Sequence, residues 1–311
     1  MGSEEPSQEL SQSQARVPKL ATLTVCIVPS AIDVWEQVTK ARTQLKDPGL
    51  FRWPPHVNLL YPFIDIKSDE GLTVDAEIVS RLEAATKRVE PFTVTLEQFG
   101  TFGGKTRGIL WLYPSSLAED GSEPVHTLYQ SLEQEFPVCA VGNRDFSPHM
   151  TLSHFESLQE AEAAQTEIEM WWPKEGLKFE LNEVYLLQRK GDNGQFMRMA
   201  SLRLGQHSAV QIHDPPLPFP DMPTVEEDWV LAERMKLKAR RNGPRRSKKA
   251  AVPGENGPRR SKKAALPGEN VSRRGPRRST DTPAEIAAKR ATRTAKRLEQ
   301  EATQQAASEE L

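Results

Sequence analysis

The sequence predicts a bilobal α+β domain, and two repeats within the chain are the reason. The first repeat is a short apolar stretch with one histidine, at residues 54–63, which returns at residues 146–155. The second repeat is the order of the predicted elements, because a strand, a helix, the histidine-bearing strand and another helix follow one another in each half. A duplicated order of strands and helices indicates two similar lobes.

Apolar periodicity predicts the elements of the first half in chain order. They are a strand at 21–28, a helix capped by Ser30 that ends near residue 46, the motif strand at 57–63, a helix capped by Thr73 that ends near residue 89, a strand at 92–99 and a loop at 102–105. Small polar residues such as Ser and Thr are typical of helix N-caps.

The second half follows the same order and closes with a hairpin. Its predicted elements are a strand at 108–113, a helix opened by Pro124, the second motif strand at 149–155, a helix capped by Ser157 that ends near residue 171, and strands at 177–188 and 196–204. A Gly-Asp-Asn-Gly sequence at 191–194 provides the turn between the last two strands.

Both motif strands read Pro-His-apolar-(Asn/Thr)-Leu. Side chains of an extended strand alternate between its two faces. His56 therefore shares a face with Asn58, and His149 shares a face with Thr151. The apolar residues between them face the other way, toward a core. Each copy is expected to present one imidazole and one hydrogen-bonding side chain on a rigid element.

A pair of imidazoles suits acid–base chemistry on a phosphodiester. Histidine has an ordinary pKa that allows both roles near neutral pH. If His56 and His149 meet across a cleft, one takes a proton from the attacking group and the other gives one to the leaving oxygen, without a metal. Asn58 and Thr151 can then donate to the non-bridging oxygens, where charge develops. A packed, hydrogen-bonded histidine is the alternative for either copy alone, but two matched copies favour a site.

The two motifs resemble the paired His-x-Thr/Ser-x signatures of the two-histidine phosphoesterases, the 2′-5′ RNA ligase-like superfamily. The resemblance covers about residues 20–205. It implies two pseudo-symmetric lobes, each an antiparallel sheet with helices outside, and a central cleft that receives one motif from each lobe. It also implies cleavage of 2′,3′-cyclic phosphates or 2′-5′ linkages without a metal or cofactor.

Carried over to this chain, the resemblance makes His56 and His149 the acid/base pair and makes Asn58 and Thr151 the phosphate-binding donors. Asn58 departs from the usual Thr or Ser. A side-chain amide also donates hydrogen bonds, so this departure bears on substrate and rate more than on fold.

Four further residues are candidate substrate contacts: Lys105, Tyr185, Arg189 and Arg198. The first follows a Gly-Gly loop that can lean over the cleft. The other three lie on the last predicted hairpin, where a side chain can stack on a nucleotide or pair with it. Solvated surface positions explain all four equally well. His154 is expected to be structural, because strict alternation places it on the face opposite Thr151.

Composition divides the chain into a folded body and polar ends. Hydrophobic residues make up 37% of the chain, which is low for a protein that folds throughout. The predicted segments are a disordered N-terminus at 1–18, the two-lobed domain at 19–205, a Pro-rich linker with a short helix at 206–240, and a basic repeat tail at 241–311. The tail is expected to be mostly disordered, with one helix near its end.

Positive charge is concentrated near the C-terminus. The formal net charge is −2, yet the segment from Glu233 to Leu298 holds 22 Lys and Arg residues against five Asp and Glu residues. A unit that begins at Asn242 is repeated from Asn256. Basic clusters of this kind bind nucleic acid or import factors, although a solvated tail without a partner is the alternative.

The remaining features bear on compartment and assembly. The first twenty residues are polar and acidic, and no apolar run reaches about eighteen residues, so neither a signal peptide nor a membrane span is expected. Cys26 and Cys139 have no neighbours at metal-ligand spacing and fit buried thiols of an intracellular protein, nuclear or cytoplasmic. We expect a monomer.

Three functions fit these features. The first is a phosphodiesterase that acts on RNA ends, cyclic phosphates or 2′-5′ linkages. The second is a nucleotide- or RNA-binding module whose cleft does not turn substrate over. In the third, the body is a scaffold and the basic tail binds nucleic acid. Substrate turnover distinguishes the phosphodiesterase from the binding module. Deletion of the tail distinguishes the phosphodiesterase from the scaffold with a nucleic-acid-binding tail.

Overall fold

A nine-stranded antiparallel sheet forms the centre of the domain. The computed structural model describes residues 17–67, 74–118, 120–141 and 145–242. Its strands are β1 (Lys19–Leu20), β2 (Leu23–Ile27), β3 (Val57–Leu60), β4 (Phe63–Ile64), β5 (Phe92–Gly104), β6 (Arg107–Ser115), β7 (Met150–Phe155), β8 (Leu177–Leu181), β9 (Glu183–Arg189), β10 (Phe196–Arg203) and β11 (Val210–Leu217). Its helices are α1 (Ile32–Gln44), α2 (Ala76–Thr86), α3 (Pro124–Glu135), α4 (Leu158–Glu169) and α5 (Asp228–Asn242).

The large sheet consists of two lobes that meet at the motif strands. Its spatial order is β11-β10-β9-β2-β3 in lobe one and β7-β6-β5-β8 in lobe two, while β1 and β4 form a separate two-stranded sheet. A pairing of Val57 with Met150 joins β3 to β7. The predicted α+β class, with an antiparallel sheet and one motif strand in each lobe, is confirmed. Because β3 also pairs with β7, the strands of the two lobes form one continuous sheet.

The helices pack on both lobes, and the chain crosses repeatedly between them. Helices α2 and α3 pack on each other and on strands of lobe one, whereas α1 and α4 pack on strands of lobe two. Helix α1 follows a lobe-one strand in sequence but covers the other lobe. Neither half of the sequence therefore builds a lobe by itself, although each supplies one motif strand.

Apolar side chains fill two core clusters. Strand β6 alternates between buried and partly exposed positions along most of its length, as expected for a strand with one face in the core. The main cluster includes Val57 and Met150, both fully buried. A second cluster on lobe one brings Trp35 and Tyr185 together with Phe219. Both faces of lobe one are thus covered close to the motif strand.

Helix starts agree only in part with the predicted caps. Ser157 caps α4 by accepting from the Glu160 N–H at 3.2 Å. Helix α1 begins after Ala31 without a side-chain cap, and the predicted cap Ser30 instead donates to a carbonyl of β8. Asp75 caps α2, while the predicted cap Thr73 lies outside the described residues. Several small polar residues precede α2, so local sequence alone does not decide which one caps it.

The predicted strand at 177–188 is wrong in one respect, because it is two strands in different lobes. Strand β8 pairs with β5 at the outer edge of lobe two. After Asn182 the chain crosses to lobe one, where β9 pairs with β2 and β10. The loop predicted at 102–105 is also mostly strand, since β5 and β6 stay paired up to Gly104 and Arg107.

The prediction of an extended linker after residue 205 is wrong for its central part. Residues 210–217 form β11, which pairs with β10 as the outermost strand of lobe one. Proline is tolerated in an edge strand because the missing N–H costs no hydrogen bond on the open side. Phe219 and Met222 are then buried in the second core cluster. The predicted short helix is present as α5, anchored by Val230, which is only 2% exposed.

Candidate active site

The junction between the lobes sets the two histidine motifs beside each other. Val57 and Met150 pair across it and point into the core. In an antiparallel pair, continuing that register places His56 opposite Thr151 and Asn58 opposite His149. Alternation turns all of these polar residues to the face away from the core. The tertiary structure thus brings the predicted acid/base and phosphate-binding residues together.

Both histidines are held in the same way. His56 Nδ1 lies 2.9 Å from the carbonyl oxygen of Pro54, and His149 Nδ1 lies 2.8 Å from that of Ser147. A carbonyl oxygen only accepts hydrogen bonds, so Nδ1 of each ring carries the hydrogen. In the neutral imidazole, Nε2 then has the free lone pair. Each motif therefore orients one basic nitrogen through a carbonyl two residues earlier.

Asn58 is fixed between a buried hydroxyl and the first histidine. Thr24 Oγ1 donates to Asn58 Oδ1 at 2.7 Å, and Asn58 Nδ2 lies 3.2 Å from His56 Nε2. Since Nε2 bears the lone pair, the amide nitrogen is the donor. The second amide hydrogen remains available to a ligand. Thr24, which is fully buried, is a positioning residue that the sequence did not reveal.

Each motif strand contains a β-bulge at the same place. In β3 the pairing with β2 gains one residue between Asn58 and Leu60. In β7 the pairing with β6 gains one residue between Thr151 and Ser153. A bulge reverses the alternation of side chains beyond it. Positions beyond each bulge that strict alternation would turn toward the core therefore face the site.

Tyr61 and His154 are the residues that the bulges redirect. They lie three positions after Asn58 and Thr151, respectively, and both line the same cavity as His56. The prediction that His154 faces away from Thr151 is wrong, because it assumed an uninterrupted strand. A bulge depends on pairing with a neighbouring strand, and no local feature of the sequence predicted either bulge.

The cavity at the junction has a volume of about 270 Å³. His56, Asn58 and Thr151 line it. His149 does not line it; its ring meets Phe102 and Trp111 edge-on at centroid distances of 5.1 and 6.1 Å. In the register of the junction, His56 and His149 lie diagonally across the Val57–Met150 pair on the same face of the sheet.

A buried ion pair supports the wall behind His56. Arg42 Nη2 lies 2.8 Å from Asp47 Oδ2, and both side chains are at most 4% exposed. Arg42 also donates to the carbonyl of Trp53 at 2.8 Å. The Trp53 indole in turn stacks on the imidazole of His56, with centroids 4.3 Å apart and planes 10° apart. The ion pair thus helps to fix the plane of the first histidine.

The surroundings lower the pKa of both candidate catalytic histidines. Burial is the main cause for His56, and the positive charges of Arg42 and His149 add to it. The Pro54 carbonyl and Asp47 oppose the change, and the pKa of His56 falls to about 3. Burial also lowers the pKa of His149, against the effect of its carbonyl partner. Both rings are therefore neutral near pH 7 in the free protein.

Asp47 also faces the redirected histidine. Burial alone would raise the pKa of Asp47, but Arg42, His154 and the Gly49 N–H hold it below its ordinary value. His154 Nδ1 lies 3.6 Å from Asp47 Oδ1. This contact places a third imidazole beside Thr151, backed by a carboxylate.

Arginines line the lobe-one side of the cavity. Arg189 was predicted as a candidate contact, and it lines the cavity. Arg52, four residues before His56, was missed by the sequence reasoning and also lines it. Its only sequence signal was its closeness to the motif.

Helix α5 contributes a wall from outside the duplicated region. Leu237 lines the cavity, and Arg240 forms an ion pair with Glu156, which follows β7. The segment predicted to be a linker and short helix therefore takes part in the candidate site.

The structure places the other predicted contacts away from the cavity. Lys105 is exposed at the tip of the β5–β6 hairpin. Tyr185 is buried in the second core cluster, and its hydroxyl donates to Glu183 at 2.6 Å. Arg198 donates to the carbonyl of Pro218 at 3.0 Å. None of the three lines the cavity.

The described part of the chain contains neither a metal-binding cluster nor a membrane-spanning helix. No cluster of three or more His, Cys, Asp or Glu side chains suited to a metal ion occurs there. No helix among the same residues has both the length and the apolar character needed to cross a bilayer.

Comparison with known proteins identifies the relatives of this fold. The sequence model of the 2′-5′ RNA ligase superfamily matches residues 29–193, which is more than half of the chain. The solved structure of E. coli LigT complexed with 3′-AMP is 20% identical, with a TM-score of 0.40, and the match covers 59% of this chain and 98% of that chain. Kluyveromyces marxianus Usb1 with uridine monophosphate is 10% identical, with a TM-score of 0.34, and the match covers 61% and 98%. No curated protein matches the chain.

Proposed function

The chain belongs to the 2′-5′ RNA ligase superfamily, and we propose that it is a phosphodiesterase of the two-histidine type. Its substrates are RNA ends, 2′,3′-cyclic phosphates or 2′-5′ linkages. The observation that carries the proposal is the matched pair of imidazoles, each with Nδ1 bound to a carbonyl, which leaves the lone pair of each neutral ring on Nε2. Superfamily members are phosphodiesterases, and this chain retains both histidines of the motif pair.

In the proposed reaction, two imidazoles move the protons. One Nε2 removes a proton from the attacking water or ribose hydroxyl, while the other ring, protonated, donates to the leaving ribose oxygen. A bond forms from the attacking oxygen to phosphorus, and the bond to the leaving oxygen breaks. The negative charge of a bound phosphate raises the pKa of a nearby imidazole, which supplies the acid form near neutral pH.

The asymmetry of the two sites supports a division of roles. The pKa of His56 is lowered to about 3, mainly by burial, so this ring is neutral near pH 7 and its Nε2 lone pair can accept a proton. The hydrogen bond between His149 and the Ser147 carbonyl is exposed, whereas that between His56 and Pro54 is partly buried. Burial lowers the pKa of His149 against the opposing effect of the Ser147 carbonyl. We assign His149 as the general acid in the hydrolytic direction, and the reverse reaction exchanges the two roles.

Asn58 and Thr151 are the proposed phosphate donors. In the register of the junction they lie opposite the two histidines, which supports a role as donors to a phosphate held between the imidazoles. The free amide hydrogen of Asn58 and the Thr151 hydroxyl can donate to its non-bridging oxygens. Donors already in place stabilise the charge that develops there without reorganising.

The second candidate function is a binding module that does not turn substrate over. One observation favours it: Asn58 Nδ2 already occupies the lone pair of His56 Nε2 at 3.2 Å. A substrate hydroxyl must replace that amide before His56 can act as a base. If the amide holds its place, the cavity binds a nucleotide and releases it unchanged.

The basic tail and the cellular setting complete the proposal. Residues 243–311 lie outside the described part of the chain, and their role is proposed from charge alone. Lys and Arg clusters bind polyanions such as RNA because binding releases condensed counterions, so the tail would hold RNA near the cavity or bind import factors. We propose that the protein acts as a monomer within the cell, in the nucleus or the cytoplasm.

The proposed function is tested by substitution of each histidine. His56→Ala and His149→Ala are each expected to slow hydrolysis of adenosine 2′,3′-cyclic phosphate by about 10²–10⁴-fold, the usual contribution of one acid or base. His207→Ala, at an exposed position between β10 and β11, is the matched control and should retain full activity. Wild-type rates in both site variants would exclude the mechanism. Nucleotide binding without any product from the wild-type protein would select the binding module.

A further inference from the structure

Arg52 is held rigidly beside the proposed reaction centre. Its backbone carbonyl accepts from the Phe196 N–H at 2.9 Å, and its Nη1 donates to the carbonyl of Asp192 at 3.1 Å. The next residue, Trp53, stacks between His56 and Phe196. The guanidinium is therefore anchored to the β9–β10 turn by the same segment that positions the first histidine.

Arg52 lacks a carboxylate partner in the described part of the chain, unlike the arginines around it. Arg42 pairs with a buried carboxylate at 2.8 Å, Arg189 lies 3.6 Å from an exposed one, and Arg234 donates to another at 2.9 Å. Arg52 contacts a neutral carbonyl, and its buried Nε has no hydrogen-bond partner there. Buried polar groups are nearly always paired, so an unpaired guanidinium nitrogen on a cavity wall points to an acceptor that the protein itself does not provide.

The local charges also favour an added anion. Burial and the positive charges of Arg234 and Arg189 lower the pKa of Arg52, and Asp47 and Glu226 offset this only in part. Those two carboxylates are engaged by other arginines. An anion bound to Arg52 would relieve the repulsion among the guanidinium groups.

We propose that Arg52 and Arg189 bind a second phosphate group of the substrate, next to the phosphate that lies between the two histidines. The proposal rests on the proposed function for its first phosphate. Both arginines line the same cavity as His56, so a single ligand can reach both places. The substrate class is then a nucleotide with a phosphate on each side of one ribose, as at the end of an RNA chain. A planar guanidinium suits the tetrahedral oxygens of phosphate because it can donate two parallel hydrogen bonds.

The test measures binding and needs no turnover. The affinities of adenosine 3′-monophosphate and adenosine 3′,5′-bisphosphate are compared by calorimetry on the full chain. The wild-type protein should bind the bisphosphate at least about 10-fold tighter, the usual value of one charge-assisted hydrogen bond. Arg52→Met should reduce the preference for the bisphosphate to about twofold or less. Arg52→Lys retains the charge but not the paired N–H donors of the guanidinium, so its preference should lie between those of the wild type and Arg52→Met.

The controls separate this proposal from loss of fold and from the proposed function. Arg203→Met, at an exposed position of β10, removes the same charge and should keep the preference. Arg189→Met provides a second variant if Arg52→Met unfolds on thermal melting. Equal wild-type affinities for the two ligands, or an equal loss for both in Arg52→Met, would overturn the subsite. If the wild-type protein prefers the bisphosphate but does not hydrolyse any phosphodiester, the subsite is supported and the phosphodiesterase is rejected.

Discussion

Asn58 donates a hydrogen bond from its side-chain amide to Nε2 of His56, over 3.2 Å. The amide is oriented by the buried hydroxyl of Thr24 at 2.7 Å. One amide hydrogen of Asn58 therefore contacts His56, and the second is available to the proposed phosphate. This relationship connects the one departure from the family motif with the protonation of His56, the proposed catalytic histidine.

The first prediction concerns Asn58. Asn58→Ala removes a phosphate donor, so kcat/KM for a cyclic phosphate should fall by about 10²-fold. It also removes a donor that stabilises the neutral imidazole of His56, so the acid limb of the pH–rate profile should move to higher pH. Steady-state kinetics from about pH 3 to pH 9 covers the lowered pKa of His56 and measures both effects.

A hydroxyl at the same position provides the matched comparison. Asn58→Thr restores the donor type of the family motif and should recover part of the rate lost in Asn58→Ala. If neither substitution changes kcat/KM, Asn58 does not contact the reacting phosphate, and the amide serves His56 alone.

The second prediction concerns the buried ion pair. Asp47→Asn leaves Arg42 buried without its counter-charge, which should cost about 3–5 kcal/mol of unfolding free energy. Both side chains are nearly inaccessible to solvent, so surface screening does not reduce this effect. Urea unfolding monitored by tryptophan fluorescence measures the loss.

A double-mutant cycle tests whether the cost comes from the pair. Arg42→Met combined with Asp47→Leu should be less destabilised than the sum of the two single variants, because no unpaired charge remains. If the losses of unfolding free energy in the two single variants add up to the loss in the double variant, Arg42 and Asp47 contribute to stability independently. Restored stability with low activity would fit the role of Arg42 in holding Trp53.

The third prediction concerns stability against pH. The pKa of His56 is lowered in the folded state to about 3, against about 6.5 in the unfolded chain. The folded protein therefore binds fewer protons below pH 6.5, and its stability falls as the pH drops from about 6.5 toward 3. One such group contributes at most about 1.4 kcal/mol per pH unit, and less here because the imidazole is partly exposed.

Substitution of the ring should remove this dependence. His56→Gln should lose less stability than the wild type between pH 7 and pH 5, while His207→Gln, at an exposed site, should follow the wild type. Asp47 acts in a separate window, because its lowered pKa gives stability that is lost only at pH values below about 4. Identical slopes for His56→Gln and wild type would contradict the burial of a neutral imidazole.

The fourth prediction separates the tail from helix α5. A chain that ends after residue 242 keeps Leu237 on the cavity wall. It should hydrolyse a small cyclic nucleotide within about twofold of the full chain but lose rate on RNA, with a shallower dependence on salt. A chain that ends after residue 224 also loses the cavity wall, so its KM should rise for both substrates.

Comparison of the two truncations decides between the proposed roles. An equal loss on both substrates after removal of the tail alone would mean that residues 243–311 act on the body and not on RNA. Equal behaviour of the two truncated chains would mean that α5 does not shape the site.

Much of the site could be predicted because its pattern is local. Alternation along a strand depends only on backbone geometry, so the shared face of His56 and Asn58 followed from their spacing. The same rule failed for His154, where pairing with a neighbouring strand inserts a bulge. Proline content likewise misled the assignment of residues 210–217, because an edge strand tolerates proline.

The sequence by itself determined the two motif strands, their imidazoles and the class of chemistry, since these depend on residue type and spacing along a few adjacent positions. Only the tertiary structure decided that Arg52, Tyr61 and Leu237 share the cavity with His56. They reach it through strand pairing, a bulge and a docked helix, all of which depend on contacts between distant parts of the chain. Short-range patterns carry no information about such contacts, because the free energy that selects them comes from packing of the whole domain.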